Sequence, residues 1–319
     1  MINQIARYCA TFLSIFIKNN LANLQKQHQI VSNDLKKKLQ TSKLGKIAKL
    51  HTHKIFSKHV YDLILKNNTM NFLRNAHIQN IFFIHNRLFI FNELRELYKD
   101  RINWKLWKKL LEENDVGDPV KYFLYPKSSG NRIRQVYHLK KYCDYSKINL
   151  FKIRYVLEIG GGYGCMADIF KKIKRDCTYI IFDTMEVNFL QYYYLKMNNI
   201  PVVMNKIETG KVCLINKLPT IKKFNDTIKK NFSSLFIANW SISEMPLKLR
   251  NSILYNIDNF DHRIISFQEK FENINNKTYF LNYQKKLQDE CSIKIEKLQN
   301  YKKNLLNKSN HYYFFTKNK

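Results

Sequence analysis

The spacing of apolar residues changes near residue 150 of this 319-residue chain. Before that point, apolar residues recur every three to four positions, as in "NELRELYKDRINWKLWKKLLEEN", which predicts amphipathic helices. Residues 1–115 contain one glycine and no proline, so no helix breaker interrupts most of this region. The segment "NDVGDP" places Gly117 and Pro119 where a helix ends. We predict a helical region over 1–150, in which 128–145 form a connector and a short helix.

From residue 151 onward, short apolar runs alternate with segments of helical period. Such runs are typical of parallel strands that are covered on both faces. The predicted strands are, in chain order, "YVLEIG", "TYIIFD" (178–183), "IPVVMN" (200–205), "SSLFIANW" (233–240) and "RIISFQ" (263–268). The final segments "CSIKIEKL" and "HYYFFTK" alternate apolar and polar residues, which favours an antiparallel pair at a sheet edge. The sequence therefore predicts an α/β fold with a doubly wound, Rossmann-like sheet over 151–319.

Glycine is concentrated in one turn, "VLEIGGGYG", which holds four of the eight glycines in the chain. A glycine-rich turn between a strand and a helix lets the backbone approach a ligand closely and directs N–H groups toward it. Two cofactor templates match this turn. Glu158-x-Gly160-x-Gly162-x-Gly164 is the pattern for S-adenosylmethionine (SAM), and Gly162-x-Gly164-x-x-Ala167 is a fragment of the dinucleotide fingerprint.

Two carboxylates favour SAM over a dinucleotide. Glu158 precedes the first glycine by two positions and would repel a pyrophosphate placed over the turn. SAM carries an ammonium and a sulfonium and no phosphate, so the same carboxylate would attract it. Asp183, at the end of the second predicted strand, is placed to accept hydrogen bonds from the ribose hydroxyls of either cofactor. We therefore predict a SAM site that uses Glu158, Asp183 and the glycines of the turn.

Several segments resemble a known family: "NFLRNAHIQNIFFIHNRLF", "ENDVGDP", "VLEIGGGYG", "NWSISEM", "SFQEKFENINNKTYF" and the terminal "NHYYFF". Over about residues 67–319 the chain resembles the sugar O-methyltransferases of bacterial surface-glycan gene sets, which are class I SAM-dependent methyltransferases. The resemblance implies the class I sheet, SAM as the cofactor, and methylation of a sugar hydroxyl in capsule or lipopolysaccharide biosynthesis. The chain differs from the family just after the second predicted strand, where "DT" at 183–184 stands in place of an apolar residue followed by proline. The difference affects the expected contact with the adenine of the cofactor and not the expected fold.

Methyl transfer to a hydroxyl requires a group that removes the proton. Glu244, just after the fourth predicted strand, is the first candidate, with a helix cap as its alternative role. His138 is the second candidate, because imidazole titrates near neutrality, although a lone histidine is more often structural. Asn239 is a candidate ligand-binding amide. Arg134 is a candidate clamp for a carboxylate of the cofactor or substrate, or else a solvated surface residue.

Charge composition leaves a second class of function open. Lys and Arg outnumber Asp and Glu by 55 to 25, a net charge of +30, which is compatible with a nucleic-acid partner. The basic residues are spread along the whole chain, however, and no RNA-binding module is recognisable. We favour a sugar, nucleotide-sugar or glycan substrate over RNA methylation. An NAD-dependent oxidoreductase and a scaffold without catalytic activity remain alternatives.

Cysteine usage and the N-terminus bear on location. The six cysteines form no Cys-x-x-Cys pair and have no histidine at metal-ligand spacing, so we predict no metal site and a reducing, cytoplasmic environment. The apolar stretch at residues 5–17 is shorter than the roughly 20 residues of a spanning helix. We expect it to be a core helix or an amphipathic helix with peripheral membrane contact.

Overall fold

The computed structural model describes Leu13 and residues 21–41, 51–66, 68–82, 90–228, 233–298 and 310–318. Apart from Leu13, the apolar stretch at residues 5–17 lies outside these ranges, so a peripheral helix there stays a prediction. Among the described residues, no helix has both the length and the apolar character needed to cross a bilayer.

The elements are numbered in chain order. The helices are α1 (Gln25–Thr41), α2 (His51–Leu65), α3 (Ala76–Ile81), α4 (Ile90–Lys99), α5 (Trp104–Leu111), α6 (Gly130–Ser146), α7 (Cys165–Ile173), α8 (Met185–Met197), α9 (Leu218–Thr227), α10 (Leu247–Tyr255) and α11 (Asn276–Leu287). The strands are β1 (Lys121–Tyr122), β2 (Tyr125–Ser129), β3 (Ile153–Ile159), β4 (Thr178–Phe182), β5 (Val202–Met204), β6 (Val212–Ile215), β7 (Ser233–Asn239), β8 (His262–Gln268), β9 (Lys270–Phe271), β10 (Ile274–Asn275), β11 (Cys291–Lys297) and β12 (His311–Asn318).

The chain forms two compact units whose segments alternate along the sequence. The first unit comprises Met1–His138, Gly162–Lys172 and Thr184–Met204. The second unit comprises Leu139–Gly161, Ile173–Asp183 and Asn205–Lys319. The predicted domain boundary at residue 150 stays a prediction.

The first unit is mainly helical, and the described residues before 115 form helices and short helical turns as predicted. Within this unit α1 packs against α8, where the Tyr192 hydroxyl donates to the Asp34 carboxylate at 2.5 Å. A buried ion pair joins Arg132 to Asp168 at 2.6 Å, with side chains 0% and 6% exposed. The guanidinium also donates to the carbonyl of Leu110 at 2.6 Å, so the charge is both paired and hydrogen-bonded.

The helix α6 corrects one prediction. The segment 128–145 was expected to be a connector followed by a short helix, but it forms the end of β2 and most of a 17-residue helix. The amide of Arg132 donates to the hydroxyl of Ser129 at 3.2 Å, which is an N-cap directly before Gly130. Because Ser129 both ends β2 and caps the helix, α6 begins at the residue that directly follows the strand.

The second unit contains a mixed sheet in the order β11–β12–β8–β7–β3–β4–β6. Strands β8, β7, β3, β4 and β6 are parallel, whereas β12 runs antiparallel to both β8 and β11. The chain enters the sheet at β3, proceeds to β4 and β6 on one side, and then continues through β7 and β8 on the other. This is a doubly wound, Rossmann-like order with an antiparallel C-terminal strand pair, and both predicted features are confirmed.

The strand predicted at 200–205 is confirmed as β5 (Val202–Met204), but the sequence missed β6. It is β6 that pairs with β4, and Tyr179 lies opposite Val212. Strand β6 consists of only four residues, "VCLI", between lysine-bearing segments, so the sequence pattern gave it little weight. All four residues are nevertheless buried.

The carboxyl ends of the parallel strands lie at one edge of the sheet, as the pairing of their last residues shows. Ile159 lies opposite Phe182 across β3 and β4, and Asn239 lies opposite Ser266 across β7 and β8. Because β12 is antiparallel, its first residue, His311, lies opposite Gln268 at the same edge. Ligands of doubly wound sheets bind outside this edge.

Candidate functional site

The carboxyl edge of the sheet in the second unit carries five of the predicted site residues: Glu158, Gly160, Asp183, Asn239 and Glu244. They lie at or directly after the ends of β3, β4 and β7, three neighbouring strands. The other four, Gly162, Gly164, Arg134 and His138, belong to the first unit and are described within it.

Glu158 is a buried carboxyl group that accepts a hydrogen bond from the hydroxyl of Tyr179 at 2.7 Å. The pKa of Glu158 is raised to about 8, because burial and the negative charge of Asp183 together outweigh the opposing effect of the Tyr179 hydrogen bond. A positive charge next to Glu158 would favour its ionised form. The sequence did not single out Tyr179, because the contact depends on the register of β3 and β4.

The lack of a side chain at Gly160 lets Ser241 lie close to its backbone. The φ of Gly160 is +69°, and a Cβ at this position would collide with the Cβ of Ser241. The Ser241 hydroxyl donates to the carbonyl of Ile159, and the Gly160 amide donates to the carbonyl of Phe182 at 2.9 Å. The Gly160 N–H is therefore used between strands, contrary to the interpretation that the N–H groups of this turn point toward a ligand.

Gly162 and Gly164 continue the turn in the first unit, with φ values of +54° and +98°. The space beside Gly162 is the more open of the two, because the nearest atom to a Cβ there would be a ring carbon of Phe82 at 3.7 Å. The carbonyl of Gly162 accepts a hydrogen bond from the Gln191 side chain at 2.9 Å. Backbone conformation, rather than lack of space, is what requires glycine at position 162.

The chain leaves β7 in a strained conformation at Trp240. Its φ is +65°, a left-handed value that is unfavourable for a bulky residue. The backbone amide donates to the carbonyl of Ser266 at 2.7 Å, and the indole Nε1–H donates to Nδ1 of His311 at 3.0 Å. Next to it, the side-chain oxygen of Asn239 accepts from the Ser266 hydroxyl at 2.9 Å. Strained residues of this kind concentrate at functional sites.

His311 is buried at the same edge. Because its Nδ1 accepts the indole hydrogen bond, the neutral ring carries its proton on Nε2. His311 lies within the segment "NHYYFF", whose sequence pattern indicates a strand and no site residue. One feature of the sequence could have indicated a role for His311. It begins a strand predicted to be antiparallel, and the first residue of such a strand lies at the carboxyl edge of the parallel strands, where ligands bind.

Glu244 ends a short helical turn, Ser241–Glu244, that follows β7. Its Oε1 accepts from the side-chain amide of Gln268 at 3.0 Å, and the oxygen of that amide accepts from the Ser243 hydroxyl at 2.9 Å. The next helix, α10, begins at Leu247 without a side-chain cap, so the alternative role of Glu244 as a helix cap is not observed. The carboxylate is half-buried and oriented by a neutral amide.

A buried arginine supports this turn. Arg250 donates to the carbonyl of Ser243 at 2.8 Å and to the side-chain oxygen of Asn276 at 2.9 Å. The Asn276 amide donates in turn to the carbonyl of Gln268 at 3.0 Å. Arg250 was not predictable from the sequence, because nothing in its local pattern distinguishes it from a surface residue of a helix.

Arg134 and His138 lie on α6 in the first unit. Arg134 pairs with Glu93 at 3.2 Å, and the two side chains are only 9% and 15% exposed. His138 is completely buried, and burial together with the charge of Arg134 lowers its pKa to about 3. Such an imidazole is neutral at physiological pH but a weak base, and its complete burial keeps it from contact with an acceptor hydroxyl.

The similarity of the chain to known proteins is in its fold. No protein-family model and no curated protein sequence matches the chain. Magnesium protoporphyrin IX methyltransferase from Synechocystis PCC 6803 with bound SAH is similar over 70% of this chain and 96% of its own, with TM-score 0.40 and 10% identity. An O-methyltransferase family protein from Burkholderia thailandensis is similar over 59% of this chain and 60% of its own, with TM-score 0.38 and 9% identity.

A fibrillarin/Nop5p complex is a third similar structure, covering 54% of this chain and 75% of its own at TM-score 0.36 and 12% identity. Because these TM-scores are low, the fold assignment rests on the strand order and register of the chain itself. The fold is mixed α/β, with a Rossmann-like sheet and antiparallel C-terminal strands.

Proposed function

We propose that this chain is a SAM-dependent methyltransferase. The observation that carries the proposal is the pair of acids at the ends of neighbouring strands, Glu158 on β3 and Asp183 after β4. A positively charged ligand beside Glu158 would favour the ionised form of this buried carboxyl group and be stabilised by its charge, whereas a pyrophosphate would gain no such attraction. This charge preference fits SAM and does not fit NAD.

The donor set also fits the remaining parts of the cofactor. Asp183 would accept hydrogen bonds from the ribose hydroxyls, and Glu158 would face the positive charge. When bound, SAM supplies a methyl group on a sulfonium, which is a good leaving group. The residues of this chain then have to orient the acceptor, exclude water and take up one proton.

We assign proton uptake to Glu244 and propose a sugar hydroxyl as the acceptor. Glu244 is oriented by Gln268, so its carboxylate stays in one position as it accepts the proton. The sequence resemblance supports the sugar. The side chains at this edge support it further, since planar amides, a carboxylate and the indole of Trp240 are suited to a polyhydroxylated ring. Surface-glycan biosynthesis in the cytoplasm is part of the same proposal.

Calorimetric titration of the purified chain tests the cofactor assignment. We expect SAM and its demethylated product to bind and NAD⁺ not to bind, and Asp183→Ala to weaken SAM binding at least about tenfold. Binding of NAD⁺ without SAM would support an oxidoreductase instead. Binding of neither would support a scaffold without catalytic activity.

RNA methylation is the second candidate, and the net charge of +30 is the observation that favours it. It would give RNA binding whose affinity falls steeply with salt, because phosphate contacts release counterions. Methyl transfer to RNA but not to nucleotide sugars would replace the sugar proposal and leave the cofactor assignment intact.

A further inference from the structure

The turn between α4 and α5 in the first unit presents an aliphatic side chain to solvent. Ile102 is 94% exposed, the highest value among the exposed large hydrophobic residues of the described chain. Tyr98, one turn earlier, is 46% exposed. We call Tyr98, Arg101, Ile102 and Trp104 the α4–α5 tip. An exposed aliphatic residue is unremarkable when it stands alone, but here it has aromatic and basic neighbours.

The tip is an ordered structure. The carboxylate of Asp100 accepts hydrogen bonds from the backbone amide of Asn103 at 3.3 Å and from its side chain at 3.1 Å. It also accepts the indole N–H of the buried Trp107 at 2.7 Å. A turn held together by these hydrogen bonds therefore presents Ile102 to solvent.

Aromatic and cationic residues flank Ile102 in the sequence and contact one another. The rings of Tyr98 and Trp104 meet edge to face at a centroid distance of 5.1 Å. The guanidinium of Arg101 lies 3.9 Å from the centroid of the Tyr98 ring, within the range of a cation–π contact. Tyrosine and tryptophan beside a long basic side chain are the residues enriched at the interface between membrane and water.

The exposed charges of the two helices and their turn are all positive. The exposed charged residues between positions 90 and 111 are Arg95, Lys99, Arg101, Lys105, Lys108 and Lys109. The three acidic residues in the same range are half-buried, and each contacts another side chain: Glu93 contacts Arg134, Glu96 contacts Lys99, and Asp100 contacts Trp107. The surface around the tip is therefore complementary to an anionic partner.

We propose that the α4–α5 tip docks onto an anionic lipid bilayer. A bilayer can bind both features of this surface, because its anionic headgroups attract the lysines and arginines and its hydrocarbon can take up the side chain of Ile102. A nucleic acid offers the phosphates but leaves an exposed aliphatic side chain without a suitable environment. The proposal does not depend on the proposed methyltransferase activity.

Vesicle co-sedimentation of the full chain tests this proposal. The probes are vesicles of phosphatidylcholine alone and vesicles with about one-third phosphatidylglycerol. We expect binding to the anionic vesicles only, weakening as salt is raised. Ile102→Glu should reduce the partition coefficient at least about tenfold, because it places a negative charge where the side chain would enter the bilayer. Lys105→Glu should reduce it about fivefold or more.

Matched substitutions elsewhere provide the controls. Ile30→Glu alters another exposed isoleucine of the first unit, which is 65% exposed, and Lys248→Glu alters an exposed lysine of the second. Both should have less effect than the tip variants. Equal losses for Ile102→Glu and Ile30→Glu would overturn the proposal. It would also be overturned if the tip variants bound vesicles normally but lost affinity for a single-stranded RNA oligonucleotide, since the surface would then be a nucleic-acid site.

Discussion

The carboxyl group of Glu158 on β3 accepts a 2.7 Å hydrogen bond from the hydroxyl of Tyr179 on β4, and both side chains are buried. A hydrogen bond to a carboxylate favours the ionised form, yet burial outweighs it and the pKa of Glu158 rises to about 8. The proposed cofactor-binding acid is therefore mostly protonated at neutral pH, and a cationic ligand would displace its proton.

The first prediction concerns the pH dependence of SAM binding. Because a cation binds better to ionised Glu158, affinity should rise between pH 6 and pH 8, by up to about tenfold per pH unit, and level off above. Calorimetry in buffers of different ionisation enthalpy should detect the released proton. Glu158→Gln should remove the pH dependence, and the ratio of wild-type to variant affinity cancels any titration of the ligand itself.

Tyr179→Phe provides a second variant for the same prediction. It removes the hydrogen bond that favours the carboxylate, so the midpoint of the pH profile should move upward while the aromatic ring is retained. A wild-type profile that is flat across this range, or an unchanged midpoint in Tyr179→Phe, would mean that Glu158 does not control the affinity.

The second prediction concerns stability without ligand. The pKa of Glu158 is about 8 in the folded chain against an ordinary value of 4.5, so the unfolded chain binds fewer protons between these values. The free energy of unfolding should therefore fall as pH rises from 4.5 to 8, by up to about 1.4 kcal/mol per pH unit from this group, and the effect should be complete above pH 8.

Urea unfolding at several pH values measures this effect. Glu158→Gln keeps a polar group of similar size and removes the titration, so the wild type should lose stability relative to the variant as pH rises. Parallel stability curves for the two proteins would show that the carboxyl group titrates near its ordinary pKa.

The third prediction concerns Glu244. Glu244→Gln should leave SAM binding unchanged and lower kcat by roughly 10² to 10⁴, because the amide cannot take up a proton. Transfer of labelled methyl from SAM to a panel of nucleotide sugars measures the rate. Glu269→Gln is the matched control, since Glu269 already accepts from Asn310 at 2.8 Å and from Tyr312 at 3.3 Å. Equal losses in both variants would remove Glu244 from the role of base.

The sequence predicted the positions of most strands along the chain because their apolar runs are long and bounded by polar residues. It failed at β6, whose four residues carry too little pattern to distinguish a strand from a loop. It underestimated α6 because the Ser129 cap depends on the preceding strand, not on helical period alone.

The candidate site was predictable only as far as local motifs extend. Glu158, Gly160, Asp183 and Asn239 could be assigned to strand ends from the sequence, since each follows an apolar run. Contacts between strands were not predictable, because they arise from register and from the antiparallel course of β12. Gly160 illustrates this point, since its close neighbour is Ser241, 81 positions away in the sequence.

The fourth prediction concerns the ion pair of Arg132 and Asp168 in the first unit. Asp168→Ala leaves a fully buried guanidinium without its carboxylate and should reduce the free energy of unfolding by about 3–5 kcal/mol. The exposed pair of Arg154 and Asp176, at 2.8 Å with side chains 42% and 61% exposed, is the control, and Asp176→Ala should cost at most about 1 kcal/mol. Urea unfolding of both variants measures the difference. The double variant Arg132→Met with Asp168→Leu should recover much of the loss, because the cost comes from the unpaired charge. If the double variant were as unstable as Asp168→Ala, lost packing rather than the stranded charge would explain the effect.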